Sequence, residues 1–472
     1  MSVSSKHPEY LRYSDTWQRV RAACEGSRSV KAGRSKYLPK PTTESSDIDL
    51  RSTNDHRYRQ YIDRAVYANF CGRTLAGLKG AAFRKLPDIV LPAGLEYLEE
   101  NATGSGTGLV QMAKDELQEL LSIGRDGFLV DYPMVESGAS AEQTKGIEAR
   151  ILPYTAENVI NWRTGIINGK TQLTLTVLRE CVNVSDDEFE YVEKDQYRVL
   201  RLVDGIYSQQ IYQDDKPVSD EIIIRQSNGS AFDFIPFCFA GAVNNDFTID
   251  EAPMEGMAEV NIAHYRNSAD IEENSFIHGQ LTLGVTSSLS SDQWQEANPD
   301  GLVVGSRAGH FLGESGGFHH VQAEASSLTR ELMQDKEQQL VMLGAQLITD
   351  NNQNQTAKAA QIQHASEHSV LGDIANNLSD TIEKCISWCG LFMGVAGDSE
   401  FNINTEFFDD NADAQLMIAA IQLYDREIIG LPDVRGYARQ SGITKRTDVE
   451  IDDDDPVQIF NDDALEIDID NI

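Results

Sequence analysis

The stretch EAPMEGMAEVNIAHYRNSADIEENSFIHGQ, residues 251–280, decides how the rest of the chain is organised. Apolar residues recur in it at helical spacing. The predicted apolar side carries Met257, Val260, Ala263, Tyr265, Ala269, Ile271 and Phe276. Pro253 fits the first turn of a helix, where its missing N–H removes no hydrogen bond. We therefore predict one helix from Pro253 to Gly279, about 40 Å long at the usual rise per residue.

The same helix is unusually acidic. Its predicted acidic face consists of Glu255, Glu259, Asp270, Glu272 and Glu273. The helix contains a single arginine, Arg266, so pairing within the helix cannot neutralise all five carboxylates. This imbalance favours a solvated side, and the simplest interpretation is an ordinary amphipathic surface helix.

The 472-residue chain as a whole has a formal net charge of −35. Affinity for the phosphate backbone comes from Lys and Arg, so this charge argues against a protein that grips DNA tightly. Residues 1–85 are the exception, because they hold 17 Lys/Arg against 8 Asp/Glu. Such a basic region either contacts nucleic acid or an acidic partner, or is simply solvated. Residues 447–472 hold eleven Asp/Glu and no Lys or Arg, a composition that favours disorder.

Cysteine usage and hydropathy predict a protein that stays in the cytoplasm where it is made. The six cysteines are scattered; only Cys385 and Cys389 are close, and no second pair would complete a zinc site. We therefore expect buried, reduced thiols. No apolar run approaches the roughly 20 residues needed to span a bilayer. The N-terminal residues lack the apolar core of a secretory signal, and we expect no membrane association.

Helical and strand-like patterns alternate around the acidic helix. Residues 1–55 are polar and are expected to be loosely structured, with one short helical pattern. A helix is predicted over 109–123, and Asp204-Gly205 marks a hairpin turn between two strands. A very long helical pattern covers 356–392, with an expected bend at Gly372.

One catalytic pattern is present. His364-Ala-Ser-Glu367-His368 matches H-x-x-E-H, in which two histidines one turn apart bind zinc and the glutamate acts as the base. The polar surroundings, such as Gln361, make two solvated histidines on a long helix the simpler interpretation. The glycine-rich run at 104–108 lacks the Lys-Ser/Thr of a phosphate loop. We predict no catalytic residue, no metal and no cofactor, with a zinc metallopeptidase as the alternative.

The order of several segments resembles the portal, or head-to-tail connector, family of tailed bacteriophages. The segments that carry the resemblance are YTAENVINWR, IPFCFAGAVNNDF, EGMAEVNIAHYRNSADIEENSF, LGAQLI and TAKAAQIQHASEHSVLGDIANNLSDTIEKCISWCGLFMG. Together they lie within residues 58–443. The specificity is in their order and spacing, since no segment is a distinctive motif alone.

The resemblance implies an α+β, portal-like fold with an α/β wing, long stem helices, a small β-rich clip, an α-helical crown and an acidic C-terminal tail. The implied parts are 1–55 (N-terminal arm), 56–250 (wing), 251–280 (stem helix), 281–325 (clip), 326–348 (second stem helix), 349–355 (tunnel loop), 356–394 (long kinked helix), 395–446 (crown) and 447–472 (acidic tail).

By the same resemblance, the protein forms a homo-oligomeric, twelve-subunit ring at one capsid vertex of the virion. Double-stranded DNA would pass through this ring during packaging, retention and ejection. The implied partners are a terminase, the major capsid and scaffold proteins, and a head-completion adaptor, with assembly in the host bacterial cytoplasm. The ring itself is not an enzyme in this family. Another virion component, such as a capsid or tail adaptor protein, is a further alternative.

The resemblance also assigns contact residues. The amide-rich loop implied to touch DNA in the tunnel comprises Asp350, Asn351, Asn352, Gln353, Asn354 and Gln355. Amides exchange weak hydrogen bonds with phosphate oxygens without a net charge that would trap the strand. The clip residues implied to contact the terminase or adaptor are Trp294, Pro299, Gly301 and Arg307. In a ring, the acidic helix face would line the channel as a negative belt, unless neighbouring subunits pair with its carboxylates.

Overall fold

The computed structural model of the protein describes most of the chain. The described residues are 2–41, 53–133, 146–167, 169–185, 187–279, 283–299, 301, 310–320, 328–348, 369–407, 426, 430 and 434–436. The chain divides into one compact unit, Met1–Thr405, and a second unit, Glu406–Ile472. The described part of the second unit includes a helical turn at 434–436.

The N-terminal segment is packed into the first unit. Helix α1 (Pro8–Glu25) fully buries Trp17 and Val20 and contacts several other helices. A short helix, α2 (Ser27–Ala32), follows it. Helix α1 confirms the one short helical pattern predicted within 1–55, whereas the expectation of a loosely structured segment does not hold for α2. Apolar residues at helical spacing give α1 a buried side despite its polar composition.

Four further helices precede the strands of the central sheet: α3 (Thr53–Arg64), α4 (Phe70–Ala82), α5 (Leu98–Asn101) and α6 (Leu109–Ile123). Helix α6 has the predicted bounds. It ends at Gly124, whose φ is +81°, and a Cβ atom there would lie 2.8 Å from the Glu251 carbonyl oxygen. Only glycine accommodates both the left-handed backbone and this close approach.

A three-stranded antiparallel sheet lies at the centre of the unit. Its strands, in the spatial order β10–β2–β3, are β10 (Phe237–Gly241), β2 (Arg125–Asp131) and β3 (Arg150–Thr155). Every residue of β2 and β10 is buried. Helix α6 and the long helix α10 (Val370–Met393) pack against this sheet. A separate two-stranded ladder pairs β1 (Asp88–Val90) with β13 (Glu400–Asn402).

A larger antiparallel sheet follows the central one. It contains β4 (Val159–Ile167), β5 (Lys170–Asn183), β6 (Glu193–Val203), β7 (Ile206–Gln213), β8 (Lys216–Pro217) and β9 (Ile222–Ile223). Strands β4 to β8 lie in chain order, and β9 pairs with β7. The predicted hairpin turn between β6 and β7 is confirmed, since Asp204 and Gly205 both have positive φ, at 51° and 73°.

The acidic stretch forms a helix that leads into a small excursion and a returning helix. The elements are α7 (Glu255–Gly279), β11 (Leu283–Thr286), α8 (Ser291–Ala297), β12 (Gly317–His320) and α9 (Leu328–Gln346). Strands β11 and β12 pair with each other. The excursion between the long helices therefore contains a helix as well as strands. With helices and sheets mixed throughout, the predicted α+β class is confirmed.

The prediction of one continuous helix over 356–392 is wrong at Ser369. This residue is extended, with φ −81° and ψ 158°, and its side chain accepts a hydrogen bond from the Gly372 N–H at 3.1 Å. Ser369 is thus the N-cap of α10, and Gly372 lies in the first turn instead of at a bend. The rest of the predicted pattern, 356–368, lies outside the described residues.

Candidate functional site

The candidate site is the pair of helices α7 and α9. A Cβ atom on Gly344 of α9 would lie 3.9 Å from the Cε of Met257 on α7. Seven residues further along α7, His264 Nε2 lies 3.3 Å from Oε1 of Glu337, which is seven residues back along α9. The two helices therefore pack side by side and run antiparallel.

A buried amide fixes α7 to the start of α4. Asn261 is fully buried. Its side-chain oxygen accepts hydrogen bonds from the Tyr67 hydroxyl at 2.9 Å and from the Cys71 N–H at 3.2 Å. Its side-chain nitrogen donates to the Ala68 carbonyl at 2.8 Å. Sequence reasoning missed this residue, because an isolated polar residue on a helix gives no sign of whether it is buried.

Two carboxylates in the first half of α7 pair with one arginine on α1. The Arg19 guanidinium lies 2.6 Å from Glu255 and 3.2 Å from Glu259. The hydroxyl of Thr16, one turn earlier on α1, also donates to Glu255 at 3.2 Å. Helix α1 therefore supplies counter-charge for this end of the acidic face.

Helix α3 supplies partners for the carboxylates at the other end of α7. The Tyr61 hydroxyl donates to Asp270 at 2.6 Å; burial, with this hydrogen bond as a smaller cause, raises the pKa of Tyr61. Glu273 pairs with Arg64 and lies 3.5 Å from Arg57. The Arg64 guanidinium also lies 4.0 Å from the centre of the Phe276 ring, which is a cation–π distance.

Four of the five predicted acidic residues thus have partners elsewhere in the same chain. The expectation of an unpaired face counted only Arg266, which in fact donates to the Tyr37 carbonyl at 2.8 Å. The actual partners come from helices about 200 residues earlier in the sequence. Glu272 differs, since it is half-buried and has no ion pair or hydrogen bond with the described residues. Whether this face lines a channel stays a prediction.

The two helices also expose large apolar residues. Those with between 41% and 69% of their surface exposed are Phe276, Ile277, Leu328, Leu332, Val341 and Met342. In contrast, Leu340 of α9 is buried, as is Leu347, which follows the end of the helix. One side of α9 therefore packs inward, while apolar side chains on its other sides stay uncovered in a single chain.

Three of the predicted clip residues lie together around the end of α8. Trp294 is half-buried, and its carbonyl accepts a hydrogen bond from the Asn298 side chain at 3.3 Å. Pro299 is exposed. Gly301 has a φ of +69° and donates its N–H to the Asn298 carbonyl at 3.0 Å. The fourth clip residue, Arg307, lies outside the described residues.

Two of the predicted sites cannot be placed. The tunnel loop, Asp350 to Gln355, and the histidine motif at His364, Glu367 and His368 lie outside the described residues. Within the part of the chain that is described, no three His, Cys, Asp or Glu side chains are grouped so that they would hold a metal ion. Across the same residues, no helix is both long enough and apolar enough to cross a membrane.

Buried charge near the start of α7 was also missed from the sequence. Arg125 lies over the rings of Trp162 and Phe239, at 4.7 and 3.7 Å from their centres. Its guanidinium donates to the carbonyls of Phe247 and Thr248, in the loop that precedes α7. Burial lowers the pKa of Arg125 to about 10, so the side chain keeps its charge at neutral pH and holds this loop in place.

Comparisons with known proteins give a family model and solved structures that match. The model of a family described as Domain of unknown function (DUF4055) matches residues 253–393, from the start of α7 to the end of α10. A solved structure described as the neck of an empty GTA particle computed with C6 symmetry matches at 13% identity and a TM-score of 0.40. That match covers 81% of this chain and 92% of the other. Among curated proteins, none matches this chain. A TM-score this low does not establish a shared fold.

Proposed function

We propose that the protein is a phage portal: a ring-shaped channel at one capsid vertex through which double-stranded DNA is packaged, retained and ejected. The ring would contain twelve copies related by cyclic symmetry. It would bind a terminase, capsid and scaffold proteins, and a head-completion adaptor. In this proposal the ring is no enzyme, and ATP hydrolysis belongs to the terminase.

The observation that carries the proposal is the antiparallel pair α7 and α9 with the excursion between them. A portal of this family needs one long stem helix, a small clip, a returning stem helix and then a loop that reaches the channel. Here α7, the elements β11 to β12, and α9 follow each other in that order. The amide-rich residues 349–355 come directly after α9 in the sequence.

The uncovered apolar side chains of α7 and α9 support an oligomer. Six large apolar residues on these two adjacent helices are exposed in a single chain, and assembly would cover such side chains. A cyclic ring covers such a surface with a different surface of the next copy, because its interfaces are heterologous. We therefore assign the exposed apolar side chains of α7 and α9 to contact between subunits.

The charges of α7 limit which residues face DNA. The pairing of Glu255, Glu259, Asp270 and Glu273 with α1 and α3 reduces their effect on a passing strand. Glu272 has no ion pair or hydrogen bond with the described residues that would offset its effect. Repeated around the ring, this carboxylate would repel phosphates at every angular position and prevent DNA from settling at one depth.

The experiment is DNA passage through rings that carry Glu272→Lys. Lysine at this position would bind phosphate and release counterions, so passage should slow at low salt and recover as the salt concentration rises. Glu99→Lys, on the short helix α5, is the control for an exposed reversal away from α7. Reversal of all five acids without any change in passage at low salt would show that this face does not line the channel.

A further inference from the structure

The hairpin formed by β5 and β6 projects beyond the rest of its sheet. The partner strand β4 pairs with β5 as far as Leu178, and β7 pairs with β6 from Tyr197 onward. Beyond those points, the two strands pair with each other from Glu180 to Asn183, and no other described strand pairs with them there. This ribbon extends about 13 Å at the usual rise of a strand, and its loop extends further.

The loop at the end of the ribbon holds two aromatic side chains in solvent. Phe189 is 90% exposed and Tyr191 is 68% exposed. Described backbone groups of the loop make hydrogen bonds with side chains of the same hairpin. Asn183 Oδ1 accepts from the Val192 N–H at 3.1 Å, and Asp187 Oδ1 accepts from the Phe189 N–H at 2.8 Å. The two aromatic side chains therefore lie on a hydrogen-bonded loop. Their exposed apolar area is unfavourable in water, and contact with a partner would bury it.

The charges around Phe189 and Tyr191 indicate which kind of partner would fit. The loop carries the exposed carboxylates of Asp187, Glu188 and Glu190. The single lysine of the ribbon, Lys194, is already paired with Asp214 at 2.6 Å. This negative charge would repel phosphate, so nucleic-acid bases are not expected to stack on the aromatic rings of Phe189 and Tyr191. The fitting partner is a protein surface that combines cationic groups with apolar area.

The chain has such a surface at its own N-terminus. Residues 6–40 hold nine Lys/Arg and three Asp/Glu in a chain that is otherwise strongly acidic. We define the N-terminal basic face as Leu11, Arg12, Arg34 and Lys36, all exposed. Lys36 reaches Asp15 at 2.7 Å, which places it one turn from Arg12 on the same side of α1. Within the described residues, neither Arg12 nor Arg34 lies within ion-pair distance of a carboxylate.

We propose that the β5–β6 hairpin loop, with Phe189 and Tyr191 among its carboxylates, docks on the N-terminal basic face of a second copy of this chain. Phe189 is too exposed to be touching its own face, so the contact is between subunits. The loop and the N-terminal basic face are different surfaces, so each copy can bind one neighbour through its loop and another neighbour through its basic face. This proposal rests on the ring proposed above and names one of its interfaces.

The direct test is photocrosslinking from the loop of the purified protein. Phe189→p-benzoylphenylalanine should give a crosslinked dimer whose linked peptide falls within residues 8–40. Ile166→p-benzoylphenylalanine is the matched control, because Ile166 is 80% exposed near the opposite hairpin end of the same sheet and should give no such product. If the rings form and Phe189 crosslinks to another part of the neighbour, or does not crosslink, the docking proposal is contradicted. Neither result contradicts the portal proposal.

A charge exchange gives the second test. Phe189→Ala with Tyr191→Ala should raise the concentration for half-assembly about tenfold or more, as expected for two aromatic contacts. Arg12→Glu with Arg34→Glu should weaken assembly as well, and adding Glu188→Lys with Glu190→Lys should restore it. Unchanged assembly in the alanine variant contradicts the docking. A wild-type chain that stays monomeric at every concentration contradicts both the docking and the ring.

Discussion

The pH dependence of stability should change when Glu116 is replaced by Gln. Glu116 on α6 and Asp126 on β2 are both buried and face each other. Burial raises the pKa of Glu116 to about 7 from an ordinary value of 4.5, and the nearby carboxylates of Glu119 and Asp115 add repulsion. Burial, reinforced by Glu116, also raises the pKa of Asp126 well above its usual range.

The sign and size of the effect follow from this pKa. A group whose pKa is higher in the folded state contributes its full stability below the unfolded value, near 4.5, and loses it as the pH rises through about 7. The difference between these two values corresponds to about 3 kcal/mol. The wild-type protein should therefore lose up to about 3 kcal/mol of its unfolding free energy from this group between pH 4.5 and 8.

Glu116→Gln keeps the shape of the side chain and cannot ionise. We expect it to unfold at nearly the same urea concentration as wild type at pH 4.5, and to be more stable by up to about 3 kcal/mol at pH 8. Urea unfolding followed by tryptophan fluorescence at several pH values measures this. Glu99→Gln, at an exposed position of α5 away from Glu116, is the control and should follow wild type. A Glu116→Gln curve parallel to wild type at all pH values would refute the reasoning.

Three further predictions concern α7 and the segments after α9. Asn261→Ala should destabilise the chain by about 3 kcal/mol or more, because it leaves buried hydrogen-bonding groups unsatisfied; Asn267→Ala, whose amide nitrogen has no partner among the described residues, should cost less in the same unfolding assay. Deleting 351–355 should spare ring formation but impair DNA retention in packaging assays, and normal retention would argue against a tunnel loop. His364→Ala with His368→Ala should leave assembly and packaging near wild type, whereas stoichiometric zinc lost in this variant would favour the metallopeptidase.

Local patterns were sufficient where the deciding contacts are local. Helix α6 was predicted with its bounds because its apolar spacing and the glycine after it are close in sequence. The turn at Asp204 and Gly205 was predicted because few residues other than Asp, Asn and Gly adopt its backbone readily. The start of helix α7 was predicted at Pro253, because proline fits the first turn of a helix, and the helix begins two residues later at Glu255.

Features that depend on distant contacts could not be predicted. The counter-charges of the acidic face come from Arg19 and Arg64, and no local spacing connects these residues to α7. The burial of Trp17 depends on helices that follow it in the chain. The helical pattern over 356–392 is interrupted by the capping bond of Ser369. Serine favours the N-cap position, but a serine within a continuous helical pattern does not by itself show that a helix starts there.

The central claim is that this acidic chain assembles into a closed ring around a channel for DNA. Averaged electron-microscope images of the purified full-length protein test it most directly. The account predicts end-on views with a central hole and cyclic, twelve-fold symmetry, formed without bound nucleic acid because of the net charge of −35. Particles without a central hole, or a monomer at all concentrations by light scattering, would contradict it.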